Sequence, residues 1–335
     1  MKVIVNPSHG NEPYILGGLI ARKYQELIGE KIEIIMPLLY PGRQERILNE
    51  EGITATLDSV LGELVQPLLF KDNDFDKHID EIVHKRERVE SAIRHYVNER
   101  YGTIDFEINT GAKTRITNEI YYAFPTVLSQ LLQYTVQEGG LGFNVSNLEQ
   151  GSKVMRTVEG DFAAAFIPSV HTFSYDPHRK SVEREIPTPP LKPLSKQCDK
   201  DIPLRSVYCM PSGTGSEIQT ILDRAAALSQ QGYSIIVPPW IKDNRYRIEE
   251  PSVIAHSNVV RVVGRAGWGT LWTCQQAETE FEPVPYKSGD DPEIYFNNKT
   301  LEARSLLEAT AVQRRQFSTM DGIEYVAKQI LQSRA

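Results

Sequence analysis

The sequence predicts an α/β protein of two parallel-sheet domains joined by a proline-rich hinge. The chain opens as strand, loop, helix and strand, with apolar runs at 2–6 and 31–36 flanking a helically spaced segment at 15–28. That order implies a βαβ crossover and a parallel sheet. A second βα rhythm starts at Ser206. Between the two lie six prolines in residues 176–203, Pro177, Pro187, Pro189, Pro190, Pro193 and Pro203. Neither a regular helix nor a central strand tolerates that density, so the stretch reads as linker.

The elements follow in order. In 15–28 the apolar residues Leu16, Leu19, Ile20, Tyr24, Leu27 and Ile28 mark one helix face. The Pro41-Gly42-Arg43 turn leads into a helix to Glu51. Residues 72–100 read as a long helix with Phe75, Ile79, Ile82, Val83, Val89, Ile93, Tyr96 and Val97 inward and its many charges solvated. A strand at 104–108 ends in the polar loop Asn109–Arg115, residues 121–137 read as helix, and 162–170 as strand. After the prolines come a strand at 206–210, a Gly-rich turn, a helix at 217–230, and strands at 234–238, 259–263 and 283–286. Helices at 301–309 and 322–333 close the chain. The predicted organisation is an N-terminal domain (1–175), linker (176–204), C-terminal domain (205–310) and a last helical segment (311–335) that packs back on the first domain.

Composition narrows the class. With 335 residues, 40% hydrophobic and 24% charged, the chain can bury two cores. A net charge of −7 argues against nucleic acid as the main partner. Three scattered cysteines, Cys198, Cys209 and Cys274, with no CxxC, exclude a zinc ribbon and suit a reducing compartment. The N-terminus carries no long apolar run and no segment reaches membrane-span length, so a cytoplasmic location is expected. Basic and apolar residues at 43–46 and 61–70 leave open a peripheral role at a membrane, or an ordinary core helix. Asn144-Val145-Ser146 matches a glycosylation sequon, of little meaning without a secretory signal.

Ligands of open α/β sheets sit beyond the carboxyl ends of the strands. Three loops have that address. Ser212-Gly213-Thr214-Gly215-Ser216 can offer backbone N–H groups to a phosphate, or form a tight turn with Ser216 as helix cap. It is neither a P-loop nor GxGxxG. Arg265, Ala266, Gly267, Trp268, Gly269 and Thr270 place a fixed cation beside small residues at a helix start, suited to a diphosphate. Downstream, Asp290, Asp291, Glu293 and Asn297 are acceptor-rich groups for sugar hydroxyls. His9, after the first strand, can act as a general base or be a structural loop histidine. His171 and His178 are weaker candidates, and His78, His84, His95 and His256 are expected in solvated helix or loop contexts.

The run Arg265–Thr270, Pro285 and Asp290-Asp291-Pro292-Glu293 resembles the donor-binding end of GT-B glycosyltransferases that use nucleotide-diphospho-sugars without a metal. The 212–216 loop resembles the Gly/Ser loop of that domain, and His9-Gly10 the loop where inverting members keep their base. The chain departs from the family at four places, one being Glu278-Thr279-Glu280 in place of a Gly-Val-Pro-like segment. Arg265 stands where a His is usual, Thr273 where a ribose-binding Glu is expected, and Asn109-Thr110 where an Asp usually orients the histidine, with only Asp105 and Glu107 nearby.

The resemblance implies two Rossmann-like domains facing a cleft and a hexosyltransferase-like enzyme that inverts the configuration at the transferred carbon. The base would be His9, the diphosphate contacts the 212–216 loop with Arg265 and Gly267–Thr270, and the sugar contacts Asp291 and its neighbours. It implies a nucleotide sugar as co-substrate, UDP favoured, no metal and no other cofactor, and a small-molecule, glycan or lipid acceptor. A catalytically silent GT-B binding protein and a GT-B sugar-nucleotide epimerase are the alternatives.

Overall fold

The computed structural model describes residues 1–70, 74–168, 184–192, 198–211, 215–303 and 321–334, with Gly215, Ser216 and Ala303 described by backbone alone. The chain forms two compact units. The first takes Met1–Leu191, Ser288–Pro292 and the C-terminal helix; the second takes Lys192–Lys287 and the segment from Glu293.

In the first unit the elements are β1 (Lys2–Pro7), α1 (Asn11–Ile28), β2 (Glu33–Pro37), α2 (Arg43–Glu50), β3 (Thr56–Asp58), α3 (Ser59–Val65), α4 (Phe75–Tyr101), β4 (Phe106–Thr110), β5 (Ile120–Ala123), α5 (Leu128–Gln137), α6 (Val145–Glu159), β6 (Ala164–Pro168) and β7 (Glu185–Thr188). The seven strands run in the order β3-β2-β1-β4-β5-β6-β7, and every neighbouring pair is parallel. Winding reverses between β1 and β4, so the loops after those two strands frame the crevice where a doubly wound sheet takes its ligand. Two glycines seat α1 tightly. A Cβ at Gly17 meets Val5 Cγ1 at 2.3 Å, and one at Gly18 meets Ile53 and Met36 at 3.0 Å.

The second unit holds β8 (Ser206–Met210), α7 (Gly215–Gln230), β9 (Ser234–Val237), β10 (Arg247–Ile248), β11 (Val259–Gly264), α8 (Trp268–Ala277), β12 (Glu280–Pro283) and α9 (Pro292–Ala303). Its parallel sheet is ordered β10-β9-β8-β11-β12, reversing between β8 and β11. Val207, Cys209, Ile221, Ala225, Leu228, Ile235, Val237 and Val263 form its core. The last helix, α10 (Gly322–Arg334), belongs to the first unit and packs on α1 through Ile323, Val326, Ala327 and Ile330.

Several sequence expectations are corrected. Residues 121–137 are not one helix: Ile120–Ala123 is a buried strand, because Ile-Tyr-Tyr-Ala is a β-branched and aromatic run, and the helix starts only after Pro125. The strand expected at 283–286 lies at Glu280–Pro283. There Phe281 is buried while Glu280 and Glu282 meet Arg261 at 3.1 and 3.0 Å, so cross-strand ion pairs support an edge the apolar pattern hid. Helix α6 was not anticipated; its N-cap is Asn144, whose side chain accepts from Asn147 N at 3.2 Å.

Part of the proline-rich stretch is a strand rather than linker. Pro187 sits in β7, an edge strand, where a missing N–H is tolerated. The charged face of α4 is not wholly solvated: Arg86 and Glu90 are buried and pair at 3.0 Å, and Glu90 also holds Arg115 at 2.8 Å. The 61–70 segment supplies core residues Leu61, Val65, Leu68 and Leu69. Helix 301–309 and residues His171 and His178 fall mostly or wholly outside the described residues. No helix among the described residues is long and apolar enough to cross a membrane.

Candidate functional site

The switch point of the first sheet carries His9. It follows β1, and Gly10 (φ 93) turns the chain into α1, with its N–H donating to the Tyr40 hydroxyl at 2.7 Å. A cavity opens there, lined by Ser8 and His9 after β1, by Gly111–Thr114 after β4, and by Val65, Leu68, Leu69, Phe70 and His78. The His9 ring meets Phe70 edge-on at 5.1 Å, and Phe70 meets His78 at 5.3 Å. Although His9 keeps part of its surface exposed, crowding around the ring and, second, the charge of Lys113 push its pKa down to about 4. The imidazole is therefore neutral at pH 7 and can accept a proton.

No described carboxylate orients it. Asp105 accepts from the Lys2 N–H at 2.7 Å at the far end of β4. Glu107, fully buried, is used by the loop that joins β4 to β5. Its carboxylate accepts from Asn6 Nδ2 at 2.7 Å, Asn109 Nδ2 at 3.1 Å, Ile116 N at 2.6 Å and Thr117 N at 3.1 Å. Burial pushes the Glu107 carboxyl up, against the pull of these four hydrogen bonds. Parallel neighbours are usually joined through a helix. Here nine residues with no helix suffice, because one buried carboxylate ties the loop down.

His78 was expected in solvent and is not. Only 6% of it is exposed, its pKa is pushed down to about 3 by burial, then Lys113 and His9, and its Nδ1 is buried without a hydrogen bond. A signal existed: His78 falls at i+3 from Phe75 and beside Ile79, on the apolar stripe of α4. His84 and His95 are exposed, as expected.

The switch point of the second sheet carries the Arg265 turn. β11 ends at Gly264, where a Cβ would meet Met210 at 3.3 Å, so the strand lies close to the end of β8. Gly267 is the N-cap of α8 and no side chain caps that helix, which leaves Trp268, Gly269 and Thr270 as its first turn. Gly267 has an ordinary φ of −81, and a Cβ on it meets nothing within 4 Å among the described atoms. Arg265 Nε lies 3.2 Å from Glu217 Oε1, on the first turn of α7. Sequence reading missed that counter-charge. Of the loop before α7, Ser212, Gly213 and Thr214 lie outside the described residues, and Gly215 and Ser216 begin the helix.

The other candidates are placed differently. Trp268 is 4% exposed and packs against Trp272 at 5.7 Å, so its face is core rather than open platform. Asn297 is fully buried and its Nδ2 donates to Ala266 O at 2.7 Å, bracing the Arg265 turn from α9. Glu293 lies in the first turn of α9. Asp290 and Asp291 cluster with the first unit, and Asp290 Oδ1 accepts the Asp291 N–H at 2.8 Å. Thr273 is occupied: its hydroxyl donates to Gly269 O at 2.7 Å and accepts from Lys192 Nζ. Among the described residues no group of three His, Cys, Asp or Glu is placed to hold a metal ion.

Two doubly wound parallel units, each with its own switch-point loops, give the chain the GT-B fold, and solved structures bear this out over nearly its full length. No family profile and no curated protein sequence matches it. It is similar to a UDP-glucosyltransferase from Polygonum tinctorium capable of glucosylating indoxyl (TM-score 0.61, 13% identity, 98% of this chain and 97% of that one). It is also similar to Arabidopsis thaliana UGT89C1 complexed with UDP-L-rhamnose (TM-score 0.60, 13% identity, 98% and 97%). A third similar structure is Phytolacca americana UGT2 complexed with UDP-2fluoro-glucose and pterostilbene (TM-score 0.56, 12% identity, 98% and 93%).

Proposed function

We propose that the protein transfers a sugar from a nucleoside-diphosphate sugar, UDP favoured, to an acceptor hydroxyl. The observation that carries the reading is the second sheet's switch point. A fixed cation and an uncapped helix N-terminus stand together there, beside a glycine that no described atom crowds. Helix N-terminal N–H groups and an arginine are the donors that stabilise a departing diphosphate. Two structures of similar fold are complexes with UDP sugars, UGT2 with UDP-2fluoro-glucose and UGT89C1 with UDP-L-rhamnose.

On this reading Arg265 and the first turn of α8 take the diphosphate, with the 212–216 loop as a further contact. The sugar hydroxyls fall to Asp290, Asp291 and Glu293. Asn297 acts indirectly, through Ala266 O. His9 accepts the acceptor's proton as its oxygen attacks the anomeric carbon, the carbon–diphosphate bond breaks, and the configuration inverts.

Calorimetry tests the donor half. Wild-type protein binds UDP and UDP-glucose, and Arg265→Ala weakens binding about tenfold or more, which is at least ~1.4 kcal/mol. His9→Ala leaves donor binding intact and lowers transfer by about 10²–10⁴-fold, the usual worth of a general base. If no nucleotide sugar binds, the reading falls.

A second reading, a GT-B protein that binds a donor without turnover, draws on one observation. His9 has Lys113 as its charged neighbour where a base is helped by a carboxylate. Donor binding with no transfer to any of a broad acceptor panel selects it.

A further inference from the structure

We propose that a single water in the His9 cavity hydrogen-bonds His9 to His78, and that His78 thereby acts as a positioning residue which holds the His9 ring in one tautomer. The proposal rests on the general-base role given to His9 above.

His78 stands on α4 with only 6% of it exposed, and its Nδ1 is buried without a hydrogen bond. Buried polar nitrogens in native proteins nearly always have a partner, and an ordered water is a common one. The neighbouring rings, Phe70 at 5.3 Å and Phe75 at 6.4 Å, carry no polar atom. His78 and His9 line the same cavity, and both meet Phe70, at 5.3 and 5.1 Å, so the two imidazoles flank one aromatic ring.

Size and polarity fix the guest. The cavity has about 20 Å³ of room, enough for one water and too little for an organic group. A buried water needs roughly two to four polar partners. The lining brings the His9 and His78 rings together with the hydroxyls of Ser8, 6% exposed, and Thr114, 3% exposed. Asn6, also in the lining, is already spent: its Nδ2 donates to Glu107 Oε1 at 2.7 Å and to Thr114 O at 3.0 Å.

Burial first, and Lys113 second, keep both imidazoles neutral at pH 7, so each has one N–H and one acceptor nitrogen. The water donates to His78 Nδ1 and accepts the N–H of His9. The other His9 nitrogen is left bare, and it takes the proton of the acceptor hydroxyl. As that ring becomes imidazolium its hydrogen bond to the water strengthens; the proton stays on His9 and none passes to His78. This link fills the place of an orienting carboxylate, which Glu107 cannot take because four donors engage it.

The test uses the full chain with ¹⁵N-labelled histidine, no donor or acceptor present, and the two rings assigned by single substitutions. In the wild type, His78 Nδ1 shows the shift of an unprotonated nitrogen, and ring protons of both residues cross-relax with a bound water. His9 favours one tautomer by about fivefold or more, the worth of one hydrogen bond. His78→Leu evens the His9 tautomers, and His78→Asn, which returns an acceptor near the Nδ1 position, restores the bias. A protonated His78 Nδ1, no bound-water contact on either ring, or a His9 tautomer ratio unmoved by His78→Leu overturns the inference. The first two need no variant, so they stand even where His78→Leu fails to fold. A chain that shows the water link but transfers no sugar overturns the transfer reading alone. One that transfers sugar while the His9 tautomer ignores His78 overturns this inference alone.

Discussion

Arg265 shows how one residue's neighbours decide what it can do. In the sequence it is a free cation beside small residues; in the fold its Nε lies 3.2 Å from the buried Glu217. A carboxylate at that distance competes with a diphosphate for the same guanidinium. Glu217→Gln is therefore expected to raise UDP affinity several-fold in calorimetry, at some cost in stability from the weakened pairing. A fall in affinity instead means that Glu217 aims Arg265. His9 and His78 give the second residue-scale expectation. Both imidazoles have folded pKa values depressed to about 4 and about 3, below the unfolded value near 6.5. The unfolded chain then binds protons first as pH falls, so stability is full above about 6.5 and is lost as pH drops toward 4. Urea midpoints at pH 7, 5.5 and 4.5 should fall in that order. Lys113→Met should shrink the drop, because it removes a charge that depresses both rings.

At the scale of elements, tight seating and open space are both set by glycines, and the two kinds predict opposite outcomes. Gly17→Ala drives a Cβ into Val5 at 2.3 Å. Despite alanine's helix propensity advantage of about 1 kcal/mol, overpacking between α1 and β1 is expected to destabilise by about 1–3 kcal/mol in denaturant titration. Gly267→Ala meets no described atom and needs no unusual φ, so its stability should stay within about 1 kcal/mol of wild type, while UDP binding weakens if the diphosphate lies over that turn. Elements are also where the sequence was hardest to read. The helical spacing of α1 and α4 was plain because their apolar faces are long. The strand Ile120–Ala123 and the helix after it merged into one apparent helix, since a four-residue strand offers too few alternations to separate from a helix.

For the whole molecule, the far end of the chain returns to the first unit. In α10, Ile323, Val326, Ala327 and Ile330 are buried, Arg334 meets Glu119 at 2.5 Å and covers Phe106 at 4.6 Å, and Gly322 seats against Pro190. Burying Ile323, Val326 and Ile330 is worth about 1.5–3 kcal/mol each, a large share of a domain's ~5–15 kcal/mol margin. Deleting 321–335 should lower the melting temperature markedly and expose α1 to limited proteolysis; an unchanged melting curve argues against the docking.

The local pattern of residues was enough for the fold class, for the βα order of each half and for the strand-end address of the His9 and Arg265 loops. These rest on periodicity and turn chemistry, which are short-range. Partners were beyond it. That Glu217 faces Arg265, that Thr273 is spent on Gly269 and Lys192, that Glu107 serves a loop instead of His9, and that His78 is buried beside the same cavity were decided by tertiary structure. Each pairs residues far apart in the chain or fixes which face of a helix turns inward. Electrostatics and burial depend on distances through space, which spacing along a sequence does not record.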